Sequence, residues 1–347
     1  MKSTPALLSR ATLRTVAVFG LVPFFLYSTA SVVAFALLFY FLLRGATLRN
    51  CVALLVAACL TLAFLSAPPP LTPTSAERAS MILTSGSFAL ILLSPLMRAR
   101  VVVREHWLVD ASLLTFLVVA SIATLTGVGP KGGLQIGMFT VAAYAGLVQG
   151  FRRRATYYLV ILLSGARGIF AGVALGLLLQ KSRKTLYLLS IGVLVLFAYG
   201  LLATDTLSAL RDQLSLLENQ GVLLKGRTKY WLSLLAEQTT LFGHGPGASV
   251  QAVSAMLGEY HVPHNDYLRV FVDYGFVPLA LLFVSLWRNA LRGPHELFVT
   301  AVLAAFLLTG NPLSFPTVIV SYLVTINCQP LNHEDIQSTR ARELKYS

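Results

Sequence analysis

Long apolar runs constrain this chain more than any other feature. Runs of roughly 16 to 20 residues recur from one end to the other, which is close to the length that a helix needs to cross a bilayer. Hydrophobic residues make up 56% of the sequence and charged residues only 12%, about half the charged share of a soluble domain. The sequence therefore predicts an all-α polytopic membrane protein.

The basic residues follow a pattern that indicates orientation. The formal charge of +13 would suit a nucleic-acid-binding protein, but most Lys and Arg lie in short segments between apolar runs and at the two termini. Such short basic segments face the cytoplasm in membrane proteins. We therefore expect a lipid bilayer and no nucleic acid as partner. The basic start, which has no cleavage-site pattern, predicts a retained signal anchor.

We assign each short basic segment to the cytoplasmic side and count the apolar runs between them as spans. This count predicts about twelve transmembrane helices, with both termini cytoplasmic. Only 26 residues separate Arg154 from Lys181, although both belong to inside segments, so we predict a hairpin of two short helices with its tip at residues 164–168. The same reasoning makes residues 14–44 a hairpin. The other predicted spans lie near Cys51–Ser66, Ala79–Met97, Trp107–Thr126, Leu134–Gly150, Thr185–Thr204, Asp266–Trp287, His295–Thr309 and Thr317–Asn327.

Residues 1–327 thus form a single predicted transmembrane domain, and residues 328–347 a disordered cytoplasmic tail. Within the domain, residues 205–265 form one long outward loop of short helices. Leucines at helical spacing between positions 207 and 217 predict a first helix lying on the membrane. A second helix is predicted to begin near Arg227.

Two arginines of this chain stand in unusual surroundings. Arg167 lies inside an apolar run, which is costly and marks a functional hypothesis; the alternative is a structural or snorkelling arginine. Arg227 precedes Tyr230 and Trp231, a setting that suits a phosphate or a sugar, while the alternative is a solvated loop residue. Lys229 either adds positive charge there or only solvates the loop.

The segment with the most candidate functional residues runs from His261 to Asp266. With His244, the pair His261 and His264 raises the hypothesis of a metal site, but Pro263 breaks the helix that would align them, so we expect no metal. In the alternative, Asn265 or Asp266 caps the next helix, and a neutral His264 beside it takes a proton from a hydroxyl.

Two neighbouring features have structural explanations that stay open. Arg269 and Asp273 are four residues apart in the next predicted helix and can pair with each other. The segment Gly243–Gly247 is not a nucleotide loop, since no Lys-Ser/Thr pair follows it, and it can be a tight turn alone.

Taken together, these motifs resemble the O-antigen ligase and polymerase superfamily of bacterial membrane glycosyltransferases. Its ligases have His followed by Asn, Ser or Gln, nine residues, then Gly, which is similar to His264-Asn265 and Gly275. The matching turns are Ala166-Arg167-Gly168, Gly226-Arg227 with Trp231, and Gly243–Gly247. The resemblance covers residues 152–287, with one departure at Pro278 that favours a non-ligase member.

The resemblance implies a reaction and its participants. A glycan on an undecaprenyl-pyrophosphate carrier is transferred to an acceptor hydroxyl, on lipid A–core or another glycan, at the outer face of the bacterial inner membrane, without metal or cofactor. It assigns Arg167 and Arg227 to the pyrophosphate, where charge develops, and His264 to the acceptor. The implied substrate-binding residues are Asn265, Trp231, Tyr230, Gly245, Gly247, Lys229 and Arg269.

Other functions remain alternatives at this point. A polymerase of O-antigen or exopolysaccharide and a protein O-oligosaccharyltransferase would use the same donor. A lipid or solute transporter would also have many spans, but transporters place polar residues near the midplane and have internal repeats. This sequence has its notable residues at one face and no visible repeat.

The hairpin at residues 164–168 predicts that Arg167 and His264 lie on the same, outer side. Cysteines introduced at Gly165 and Asn265, in a chain without its three native cysteines, should both react with a membrane-impermeant thiol reagent in intact spheroplasts. Labelling of Gly165→Cys only in inverted vesicles would contradict the hairpin.

Overall fold

A computed structural model gives the architecture of the chain. It describes residues 56, 58–62, 75–97, 101–103, 109–116, 118, 133–148, 150–164, 166–181, 230, 231, 234, 241–258 and 260–330. The predictions on residues 14–44, 182–229 and 331–347 lie outside them. In the described part most residues are helical, as the apolar runs predict. No helix in those ranges has both the length and the apolarity to cross a membrane.

Nine α-helices have defined bounds in the described ranges. They are α1 Ser75–Leu93, α2 Gly133–Leu147, α3 Phe151–Leu163, α4 Arg167–Lys181, α5 Ala248–Leu257, α6 Asp266–Tyr274, α7 Phe276–Ala290, α8 Pro294–Thr309 and α9 Pro316–Thr325. Short 3-10 turns are formed by Ser94–Leu96 and Pro312–Ser314. Two three-residue strands, β1 Val101–Val103 and β2 Cys328–Pro330, pair in parallel.

The core of the bundle lies around α2 and α9. Residues 137–145 of α2 and residues 317–325 of α9 are all buried, which fits their largely apolar composition. The hydroxyls of Thr140 and Ser321 join these two helices at 2.9 Å. Both are buried side chains, so the bond satisfies two polar groups that would otherwise be costly in the core.

Helices α4 and α8 pack closely because α4 carries a row of glycines. A Cβ added to Gly172 would lie 2.7 Å from the Cα of Val302, and one at Gly176 would lie 2.8 Å from the Phe298 ring. A Cβ at Gly168 would collide with Thr309. Spacing of four residues puts these glycines on one face, where backbones can approach.

The bundle has two ends of different character. At one end, Arg292 donates to the carbonyls of Ser94 and Met97, and Gln180 donates to Pro294. This basic end also holds the start of α3, with residues 152–154. Helices α3 and α8 run from it toward Ser164 and toward the turn at residues 310–315, and these two places define the opposite, turn end.

The break between α3 and α4 occurs where the sequence predicts the hairpin tip. Ser164 ends α3, and α4 begins at Arg167. Helices also form at four other predicted spans, namely Ala79–Met97, Leu134–Gly150, His295–Thr309 and Thr317–Asn327, with bounds shifted by a few residues.

The predicted single span Asp266–Trp287 is wrong, because the structure breaks it at Gly275. This residue has φ +95°, a conformation that favours glycine, and it separates α6 from α7. The break also accommodates Pro278, which stands in the first turn of α7, where its missing N–H would have no intrahelical partner.

Replacing Gly275 by Ala should destabilise the protein strongly. A Cβ there would lie 2.5 Å from the Leu241 carbonyl oxygen and would also collide with the Gly243 nitrogen, in addition to about 1–3 kcal/mol of backbone strain. Gly258→Ala is the control, because it has a φ of +73° but nothing within 4 Å of its Cβ. Thermal unfolding of the two variants in detergent should show a clearly larger loss for Gly275→Ala; equal losses would contradict the close backbone contact.

Candidate active site

His264 stands directly before the first turn of α6. The Asn265 side chain accepts a hydrogen bond from the Leu268 N–H at 3.2 Å and caps the helix, as the sequence predicts. Asn265 is only 4% exposed, whereas His264 is half-buried. The cap thus fixes the backbone that presents the His264 ring.

The burial of Asn265 also affects the thiol-labelling test described above. Tyr260, which is exposed, is a better position than Asn265 for the introduced cysteine.

A row of aromatic rings connects His264 to the segment after Arg227. The His264 ring lies 5.5 Å from the His261 ring, and His261 lies 5.7 Å from the Tyr230 ring, both in edge-to-face geometry. Tyr230 is buried, and Trp231 packs at the edge of the same cluster. The structure therefore brings together four of the residues that the sequence singles out.

The segment Leu241–Gly245 docks into the break between α6 and α7. The N–H of His244 donates to the Val272 carbonyl at 3.0 Å, and the N–H of Gly245 to the Asp273 carbonyl at 2.9 Å. In return, the N–H of Val277 donates to the Leu241 carbonyl at 3.2 Å. These bonds replace helical ones that the break removes.

The carboxylate of Asp273 binds the backbone that follows this segment. Its Oδ1 accepts from the Ser249 N–H at 2.7 Å and its Oδ2 from the Gly247 N–H at 3.1 Å. Gly247 is the N-cap residue of α5 and has no side chain to offer. Asp273 therefore caps α5 from another helix, where an anion is favoured by the helix dipole.

Arg269 is held by both acids of α6. Its Nε lies 3.7 Å from Asp273 Oδ2, and its Nη1 lies 4.0 Å from Asp266 Oδ1. Nη1 also donates to the Ser314 hydroxyl at 2.6 Å. Arg269 is 1% exposed, and these contacts agree with the ion-pair interpretation. Its binding of substrate stays a prediction.

The glycines of the turn also have a structural role that the sequence left undecided. The N–H groups of both Gly245 and Gly247 donate to Asp273, so they are not directed at a ligand. Both residues have positive φ angles, +101° and +89°. Their predicted contact with substrate would have to come from other atoms of the turn.

Arg167 begins α4 at the turn end of the bundle, where His264 also lies. Its neighbour Gly168 packs directly on Thr309, at the end of α8. A few residues later, the Leu313 N–H donates to Asp266 Oδ2 at 2.7 Å, next to the start of α6. The side chain of Arg167 is not among the described ones, and Arg227 and Lys229 lie outside the described residues.

Several site residues escape the sequence reading because their partners are distant in the chain. Met81 of α1 contacts the turn at Gly247, and Ser85 shares a hydrogen bond of 2.8 Å with Tyr274. The Tyr274 ring also stacks on Phe88. The only signal in the sequence is a polar Thr84-Ser85 step in an apolar run, which does not identify the partner.

Asp273→Ala should lower stability more than Asp273→Asn. Alanine leaves the Arg269 charge in the core and two N–H groups without their acceptor, and breaking a buried pair costs about 3–5 kcal/mol. Asparagine keeps the shape and one acceptor oxygen. Unfolding of purified variants, followed by intrinsic fluorescence, gives the order. An unfolding midpoint of Asp273→Ala equal to that of the parent protein would contradict a stabilising role for this carboxylate.

Comparison with known proteins adds no family or relative, since no protein-family model and no curated protein matches the chain. The functional assignment therefore depends on the residues of the site and on the arrangement that brings them together.

Proposed function

We propose that the chain is a polytopic glycosyltransferase of the bacterial inner membrane, with about twelve spans and a periplasmic catalytic loop. It transfers a glycan from an undecaprenyl-pyrophosphate carrier to an acceptor hydroxyl, without a metal ion. The observation that carries the proposal is the convergence of His264, the aromatic segment that follows Arg227, and the start of α4 at Arg167. All three belong to the turn end of the bundle.

Exposed apolar side chains support placement in a bilayer. Leu159, Leu162 and Leu163 of α3 recur at helical spacing and are 54%, 50% and 76% exposed. Leu281 and Val284 of α7 are similarly exposed. Contiguous apolar surface of this kind marks contact with lipid or protein, and the glycine row of α4 is typical of helix packing inside membranes.

The positions of the basic residues support the orientation. Arg154 donates to the Val148 carbonyl and Arg292 to the Ser94 carbonyl, and both bonds lie at the basic end. His264 and the start of α4 lie at the other. With the basic end in the cytoplasm, the site opens toward the periplasm, where lipid-linked glycans are used.

The proposed reaction is a displacement at the anomeric carbon. The acceptor oxygen forms the new bond to this carbon, His264 receives the hydroxyl proton, and the bond from the carbon to the pyrophosphate oxygen breaks. Arg167 and Arg227 stabilise the negative charge that the leaving undecaprenyl pyrophosphate acquires. Arginine suits this role because its planar group can bind two phosphate oxygens at once.

The glycosyltransferases of this class differ in the acceptor that they use. A ligase uses lipid A–core, a polymerase uses another repeat unit, and a protein O-oligosaccharyltransferase uses a Ser or Thr hydroxyl. Pro278 departs from the ligase pattern in the resemblance and favours the second or third. Parallel assays with these acceptors and one lipid-linked donor would decide between them.

His264→Ala should abolish most transfer while donor binding persists, because losing a general base costs about a hundred- to ten-thousand-fold. Arg167→Lys and Arg227→Lys keep the charge but lose the bidentate geometry, so both should reduce transfer substantially. Binding and transfer are measured on the same purified variants in nanodiscs.

Matched controls come from the same chain. Arg152→Lys changes an exposed arginine of the basic end and should retain parental transfer. His244→Ala should cost less than His264→Ala. Parental transfer by His264→Ala, or an Arg227→Lys variant unchanged in both assays, would overturn the assignment.

A further inference from the structure

His261 lies between two rings and touches both. Its ring centroid is 5.7 Å from that of Tyr230, with an interplanar angle of 66°, and 5.5 Å from that of His264, at 83°. Edge-to-face pairs of this geometry are mutually attractive. A ring in the middle of such a row restricts the orientations that its two neighbours can adopt.

The backbone of His261 is itself held in place. Its N–H donates to the Ser254 hydroxyl at 3.0 Å, and that hydroxyl lies 3.5 Å from the His261 carbonyl. Ser254 belongs to α5, the helix that Asp273 caps. The His261 ring is therefore carried by a fixed backbone rather than by a loose loop.

The other end of the row is equally fixed. Tyr230 is 5% exposed and packs in an apolar cluster with Leu234, Ala248, Val253 and Val272. It follows Arg227 by three residues in the sequence. Through Tyr230, the His261 ring connects the segment of one proposed catalytic residue with the ring of another.

We propose that His261 is a positioning residue, whose ring fixes the orientation of the His264 imidazole and its position relative to the Tyr230 ring. It acts through ring contact and not through its nitrogens. This inference rests on the proposed function for its effect on transfer, but the ring contact can be tested without any substrate.

The first test uses the reactivity of His264 toward diethyl pyrocarbonate, measured by mass spectrometry on the full chain in nanodiscs. His261→Ala should raise the modification rate of His264 by about two- to ten-fold, the range that one edge-to-face contact implies. His261→Phe, which keeps a ring but no nitrogen, should stay within about twofold of the parent. The control is Tyr260→Ala, which removes an exposed neighbouring ring.

The second test measures glycan transfer by the same variants. His261→Ala should lower kcat by about two- to ten-fold with KM for the donor unchanged, and His261→Phe should restore kcat. If His261→Ala does not fold, His261→Leu keeps the volume without a ring and takes its place.

The outcomes separate this inference from the proposed function. Equal modification rates in the Ala and Phe variants, or a His261→Ala rate equal to that of the parent, would overturn the positioning role whatever the transfer assay shows. Absence of transfer by the parent protein would overturn the proposed function, while the modification rates would still decide whether His261 fixes His264.

Discussion

Arg269 and the two carboxylates beside it determine how the turn end of this protein is assembled. Asp266 binds the N–H of Leu313, and Asp273 binds the N–H groups of Gly247 and Ser249. Arg269 lies within ion-pair distance of both acids. The nine-residue helix α6 is therefore tied at its start to the turn after α8 and at its end to the start of α5. Buried polar networks of this kind specify one arrangement, because each lost bond leaves a desolvated group.

The two glycines at positions 243 and 275 make the second part of this assembly. Each has a positive φ angle, +72° and +95°, and their backbones meet without room for a side chain on either. The contact explains the spacing between His264 and Gly275: Asn265 caps α6, the helix runs for nine residues, and the break follows. A pattern of residue types in the sequence thus corresponds to one helix with a defined start and a defined end.

The sequence predicts the helices better than it predicts the breaks and contacts between them. Apolar runs at α2, α8 and α9 identify helices within a few residues, because burial on all sides requires such runs. The cap at Asn265 and the pair of Arg269 with Asp273 also follow from local spacing. The break at Gly275 could not be predicted, because the backbone segment that stabilises it, residues 241–245, is distant in the sequence. The burial of Arg269 is likewise a tertiary property, as it depends on Ser314 and Asp266 closing around the guanidinium.

The exchange of hydrogen bonds at Gly275 has a consequence for the order of assembly during synthesis. The amides of His244 and Gly245 find their acceptors at residues 272 and 273, which leave the ribosome later. Residues 241–249 therefore emerge before their partners exist, and water or a chaperone must satisfy these groups until α6 has emerged. Because the chain is made from its N-terminus, α5 remains without its cap during this interval. The turn end of the bundle is consequently completed only after α6 has been synthesised.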